Sequence, residues 1–180
     1  MTVWAETSVD IWLAGLRNSW WGKLQSDAAI NQVNKSAPHL TLLYPFVKNM
    51  CESVHIRLVR TFSRCTAFDI QLDRVGTFGN VVWLGTSTPD QMLALSQVLW
   101  KAFPDLPPYN GQIDDPQPHV TIAEIPDSDA RLQLVCYLQQ GLAQYGPTTV
   151  LVNRISVTGA RTPCGRWQVI ETLPLIHMRI

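Results

Sequence analysis

The sequence carries no net charge: 14 lysine and arginine residues balance 14 aspartate and glutamate residues over 180 positions. A chain without a basic excess has no general field with which to gather long nucleic acid, so any phosphate-bearing ligand is small or held by a local patch. Charged residues are few altogether, at 16% against 46% hydrophobic ones, which excludes a disordered chain and leaves ample material for a core. Cysteine is scarce as well. Cys51, Cys65, Cys136 and Cys164 contain no C-x-x-C pair, match no zinc module in their spacing, and are too sparse for a disulfide scaffold. No apolar run is long enough to span a bilayer, and the opening MTVWAETSVD lacks the basic and apolar regions of a signal peptide. The expectation is a cytoplasmic chain that needs no membrane, folded as one domain or two fused lobes, with a monomer as the expected state.

What the sequence does have is one frame written twice. SAPHLTLLYPF at 36–46 and QPHVTIAEI at 117–125 both contain proline, histidine, an aliphatic residue, threonine and another aliphatic residue. The two histidines, at 39 and 119, lie 80 positions apart, the separation a duplicated unit requires. Periodicity places both stretches on strands. The first half reads as a strand at 9–16, a helix with a loop over 18–35 and the motif strand at 38–46. A helix at 51–66 follows, with Val54, Leu58, Val59 and Phe62 on one face. A strand at 67–80 then turns through Gly79 and Asn80 into another at 81–87. The second half reads as a helix at 88–103, N-capped by Thr88 with Pro89 at its first position, and a loop at 104–118. The motif strand at 119–125, a helix at 127–145 and strands at 148–159 and 166–175 complete it. Each half is therefore motif strand, helix, strand, strand.

In a strand, residues two apart share a face. His39 and Thr41 point one way and Leu40 and Leu42 the other, into a core; His119 and Thr121 repeat this over Val120 and Ile122. If the two halves face each other, two imidazoles and two hydroxyls line one cleft. Two histidines can divide acid–base work near neutral pH, each role contributing about 10²–10⁴-fold in rate. Threonine hydroxyls can donate to phosphate oxygens between them. A lone histidine in an apolar strand is ordinarily a satisfied core or loop residue, but a repeated frame favours a catalytic pair. A metal site built on His39 and His119 lacks carboxylate or cysteine partners at suitable spacing, so neither a metal nor another cofactor is expected.

PHLTLLYPF and PHVTIAEI resemble the paired H-x-T motifs of the two-histidine phosphoesterase superfamily, and most closely its RNA 2′,3′-cyclic phosphodiesterase branch, the 2′-5′ RNA ligase family. The resemblance implies an α+β fold of two pseudo-symmetric lobes around a central cleft, each an antiparallel-rich sheet with helices on its outer face. Residues 1–180 would form a single bilobal domain with one H-x-T motif per lobe. It implies a metal-independent phosphodiesterase acting on 2′,3′-cyclic phosphates or 2′-5′ linkages of a nucleotide or RNA terminus, with ligation as the reverse reaction. His39 and His119 carry over as catalytic residues and Thr41 and Thr121 as phosphate-binding ones. Which histidine is acid and which base depends on substrate orientation. The alternative is a nucleotide- or RNA-end-binding protein with little turnover.

One position departs from the family pattern. Relatives often carry a basic residue in H-x-T-x-x-R, and this chain has Glu124 there. A carboxylate beside a phosphodiester is repulsive unless paired, so the positive charge is expected from Arg161, Arg166, Lys35 or Lys48. Tyr44, with Arg161 and Arg166, is a candidate substrate contact. Phe46, Trp20, Trp21 and Trp83 could stack on a base, though such residues are more often core. His55 and His177 read as surface residues, GTFGN at 76–80 as a hairpin turn rather than a phosphate loop, and the loop at 104–118 as a flank of the cleft or a plain surface excursion.

Overall fold

The computed structural model describes residues 3–26, 37–163 and 165–176. In chain order the elements are β1 (Glu6–Trp12), a 3-10 turn at Ala14–Asn18, α1 (Trp20–Ser26), β2 (His39–Leu43), α2 (Glu52–Phe62), β3 (Phe68–Leu72), β4 (Arg74–Phe78) and β5 (Val81–Gly85). Then come α3 (Asp90–Ala102), a second 3-10 turn at Pro108–Gly111, β6 (His119–Glu124), α4 (Ser128–Tyr145), β7 (Thr148–Val152), β8 (Arg154–Ala160) and β9 (Gln168–Pro174). This is the expected α+β class. The strands form sheets ordered β2-β1-β8-β9, β3-β7 and β4-β5-β6, with every ladder antiparallel.

The motif strands occupy matching places. β2 is an edge followed by β1 and β8; β6 is an edge followed by β5 and β4. The lobes are not contiguous halves of the chain, however, because the sheet holding β2 takes its other strands from both termini. Helices α2 and α3 back the four-stranded sheet through β9 and β2, and α1 and α4 back the three-stranded one through β4, β5 and β6. Leu40, Leu42, Val120 and Ile122 are all buried, as the alternation requires.

An edge strand exposes a row of unpaired carbonyls, and both motif strands have one covered by a helix side chain. Trp100 Nε1 of α3 donates to the Leu42 carbonyl at 2.8 Å, and Gln25 Nε2 of α1 donates to the Thr121 carbonyl at 2.8 Å. The two edges are thus anchored from behind by equivalent devices on unrelated side chains.

Several boundaries differ from expectation, each for a local reason. The strand expected at 67–80 breaks at Asp73 and the one at 148–159 breaks at Asn153, both poor strand formers. Their first halves, β3 and β7, pair with each other, while β4 and β8 continue into the two larger sheets. At the first break the Asp73 carboxylate accepts from Ser87 N at 2.7 Å and Ser87 Oγ at 2.6 Å. The first strand begins at Glu6 rather than at 9, because Glu6–Asp10 pair with β8. Thr88 does not cap α3: its amide donates to Thr86 Oγ1 at 3.1 Å, and the N-cap position is held by Pro89 at φ −78°, ψ −7°, with the helix starting at Asp90. Of the segment at 18–35, α1 covers Trp20–Ser26, and positions 27–35 lie outside the described residues.

Candidate active site

The edges β2 and β6 pack against one another, and His39, Thr41, His119 and Thr121 line one cleft of about 290 Å³. All four are half-buried, whereas the residues alternating with them are fully buried. Both histidines are held in the same way. His39 Nδ1 lies 2.9 Å from the Ala37 carbonyl, and His119 Nδ1 lies 2.7 Å from the Gln117 carbonyl. A carbonyl only accepts, so each Nδ1 carries the proton and donates, which leaves Nε2 for the cleft. The prolines of the motif belong to this arrangement. Pro38 and Pro118 bias the residue before them to extended backbone, and that residue supplies the carbonyl.

The surroundings of the two rings differ. His119 meets the edge of Phe78 at 4.8 Å and lies 6.1 Å from Trp83, which itself stacks on Phe78 at 5.1 Å. Burial pushes the His119 pKa below the ordinary histidine value; the hydrogen bond to Gln117 works against this, and the charge of His39 adds to the lowering. His39 stacks on Trp12 with centroids 6.2 Å apart. Trp83 fits only because position 76 of the neighbouring strand is glycine, where a Cβ would stand 2.0 Å from its Cζ2.

An aromatic rim closes one side. Tyr44 lies 6.5 Å from Tyr109 and 6.2 Å from Trp167, and all three line the cleft. Tyr109 comes from the loop at 104–118, which therefore does flank the cleft. The loop reaches it through left-handed backbone at Tyr109 (φ 52°) and Asn110 (φ 55°), and Tyr109 N donates to the Tyr44 carbonyl at 2.6 Å. Burial, with the charge of Asp10, raises the Tyr109 pKa.

The floor is polar and was not visible as a site in the sequence. Asp10 is only 2% exposed yet lines the cleft. Ser8 Oγ donates to its Oδ1 at 2.6 Å and Thr158 Oγ1 to its Oδ2 at 2.5 Å. In ETSVDIW, Ser8, Asp10 and Trp12 alternate with Val9 and Ile11 as the histidine and threonine alternate with aliphatic residues in the motifs. A strand begun at Val9 hides that frame.

The expected cations are elsewhere. Arg161 lies 5.6 Å over the Trp4 ring, Arg166 and Lys48 are exposed, and none of the three lines the cleft. Lys35 and His177 lie outside the described residues. Glu124 is exposed at the end of β6, opposite Val81, and does not line the cleft either. The carboxylate that a phosphodiester would meet is Asp10 instead. Trp20, Trp21, Trp83 and Phe46 are packing residues, and His55 is exposed on α2, bonded to Glu171.

Twin edge strands presenting an H-x-T pair to a shared cleft define a two-histidine phosphoesterase. The chain belongs to the 2′-5′ RNA ligase superfamily, whose family model matches residues 9–159. Among solved structures it is similar to LigT of E. coli complexed with 3′-AMP, at 18% identity and a TM-score of 0.65 over 94% of this chain and 97% of that one. It is similar to TT0787 of Thermus thermophilus, at 16% identity and a TM-score of 0.66 over 97% and 100%. It also resembles Usb1 of Kluyveromyces marxianus, at 13% identity and a TM-score of 0.53 over 94% and 97%. No curated protein matches the chain.

Proposed function

We propose that the chain is a metal-independent phosphodiesterase that opens 2′,3′-cyclic phosphates or 2′-5′ linkages of nucleotides or RNA ends, with residues 1–180 acting as one bilobal unit. The observation that carries this reading is the identical Nδ1 lock on both histidines, which turns two Nε2 atoms toward one cleft from facing strands. Complexes of LigT with 3′-AMP, phosphate, ATP and NADP+ support a nucleotide phosphate as the ligand class.

The lowered pKa of His119 suits it to the base role, because a neutral imidazole is required to take a proton. Water attacks phosphorus as His119 Nε2 removes its proton. The bond from phosphorus to one ribose oxygen breaks, and protonated His39 gives its Nε2 proton to that oxygen, leaving a phosphomonoester and a free hydroxyl. Thr41 and Thr121 hydroxyls donate to the non-bridging oxygens as charge gathers there. A ribose hydroxyl in place of water gives ligation by the same exchange.

The test is turnover of 2′,3′-cyclic nucleotides and of an oligonucleotide ending in a cyclic phosphate, with EDTA present, for wild type, His39→Ala and His119→Ala. Turnover in EDTA, reduced by about 10²-fold or more in each variant, is expected. Nucleotide binding without turnover of any substrate would replace the enzyme with a binding protein.

A further inference from the structure

The mechanism above leaves one buried ionisable group of the cleft unused. Asp10 has both oxygens occupied by hydroxyl donors, at the short separations of hydrogen bonds to a charged acceptor. In the β1–β2 ladder it sits directly opposite Thr41, and Trp12 sits opposite His39. The carboxylate therefore lies in the row of the phosphate-binding threonine. Among the described residues no lysine or arginine lines the cleft to offset it. Its field is also felt at the rim, where it helps hold the Tyr109 phenol protonated.

We propose that Asp10 makes the cleft selective for a singly charged phosphodiester over a doubly charged phosphomonoester, so that the reaction's own product is expelled. The inference rests on the phosphodiesterase reading and specifies the charge of its substrate. A cyclic phosphate carries one negative charge at any pH above the acid range. Opening it gives a monoester whose second ionisation lies near pH 6, so the product gains a charge where the substrate has none to gain. That extra charge meets a fixed carboxylate in a partly buried site, where one unit charge alters affinity by roughly tenfold or more. RNA ends or dinucleotides that place a second phosphate near the floor are disfavoured for the same reason.

Asp10→Asn removes the charge and keeps the shape. A serine or threonine hydroxyl can turn to accept from the new amide, so the contacts with Ser8 and Thr158 survive. The probes are a 2′-deoxynucleoside 3′-(methyl phosphate), one charge, and the matching 2′-deoxynucleoside 3′-phosphate, two charges at pH 8. Neither can cyclise, because both lack the 2′-hydroxyl. Binding is read from the fluorescence of Trp12 and Trp167, which line the cleft. Wild type should bind the methyl diester roughly tenfold tighter than the monoester, and Asp10→Asn should bring the two within about twofold. Equal affinities in wild type, or an unchanged preference in Asp10→Asn, overturns the proposal. The wild-type comparison stands even if the variant fails to fold. Charge preference without turnover of cyclic substrates would sink the phosphodiesterase reading, and with it product expulsion, and leave only the charge selectivity of the cleft; turnover with no charge preference would overturn the proposal and leave the phosphodiesterase reading standing.

Discussion

Gly76→Ala is expected to damage the site from behind, without touching any group that faces the cleft. A Cβ at position 76 would stand 2.0 Å from Trp83 Cζ2 and 2.5 Å from Cε2 and Cη2, against an ordinary carbon contact of about 3.5–4.0 Å. The ring must therefore move by about 1.5 Å. It has little room to do so. Trp83 is 6% exposed and stacks on Phe78, with ring centroids 5.1 Å apart. The displacement passes to His119, which packs on both Phe78 and Trp83. Overpacking of this kind destabilises by about 1–3 kcal/mol. For a chain of this size that is a fall in Tm of about 2–12 °C. A misplacement near 1 Å at a reacting group lowers the rate by about 10²-fold. The assays are thermal unfolding and kcat/KM on a 2′,3′-cyclic nucleotide. Gly15→Ala is the control, since nothing lies within 4 Å of a Cβ there. Trp83→Leu should make room for the added methyl, so Gly76→Ala should be less damaging in that background than in wild type. A Gly76→Ala protein with wild-type Tm and wild-type turnover would refute the packing argument.

The remaining predictions concern pH and the strand edges. Because the His119 pKa is lowered in the folded state, the unfolded chain binds more protons between that value and the ordinary one near 6.5. Stability should accordingly fall as pH drops through about 6.5 and level off below the lowered pKa; urea midpoints at several pH values, flattened in His119→Asn, check this. The acid limb of kcat/KM should lie below about 6.5 for the same reason, and a limb above it would remove His119 from the base role. Trp100→Phe leaves the Leu42 carbonyl, and Gln25→Ala the Thr121 carbonyl, without its donor. Each should lower stability by about 1–3 kcal/mol in urea unfolding, and wild-type midpoints in both would mean that water covers these edges just as well.

The motif frame was fully legible in the sequence, because alternation in a strand is a local property. Leu40 and Leu42 had to be buried if His39 and Thr41 were not, and they are. The helices expected at 51–66, 88–103 and 127–145 were legible too, apart from the start of α3 and the end of α2, which stops at Phe62; of the segment at 18–35 only Trp20–Ser26 lies among the described α-helical residues. What could not be read locally was strand exchange between sheets. Nothing in the stretch at 67–80 alone says that its first five residues pair with β7 and the next five with β5, since that depends on partners far along the chain. Asp10 was missed for a similar reason. An aspartate in an apolar strand needs partners, and those it has come from two residues before it and from Thr158, 148 positions away. The charge expected from Arg161 and Arg166 was an inference from family chemistry, and no pattern in the sequence placed those residues near the cleft.

The duplicated frame also bears on how one site can hold two unlike histidines. The backbone devices are the same on both sides: proline, a carbonyl two residues back, an edge strand, and a helix side chain covering an edge carbonyl. Two imidazoles of equal pKa can still act as acid and base, but the state with one ring neutral and the other protonated is then populated only in a narrow pH range. The difference enters from the strands next to the motif. β5 puts Trp83 against His119, with Phe78 of β4 beside it, and burial favours the neutral ring. β1, in the corresponding place, gives His39 the stacked ring of Trp12, with the Asp10 carboxylate two residues earlier on the same face. A buried apolar wall repels a protonated base, so the lowering at His119 belongs to its own neighbours. The repeat thus supplies geometry, while the non-repeated neighbours make the surroundings of the two rings differ. Opening that wall, by Trp83→Ser, should therefore raise the His119 pKa toward the ordinary value and move the acid limb of cyclic-nucleotide turnover to higher pH. An acid limb unmoved from that of wild type would mean that the lowering arises elsewhere in the cleft.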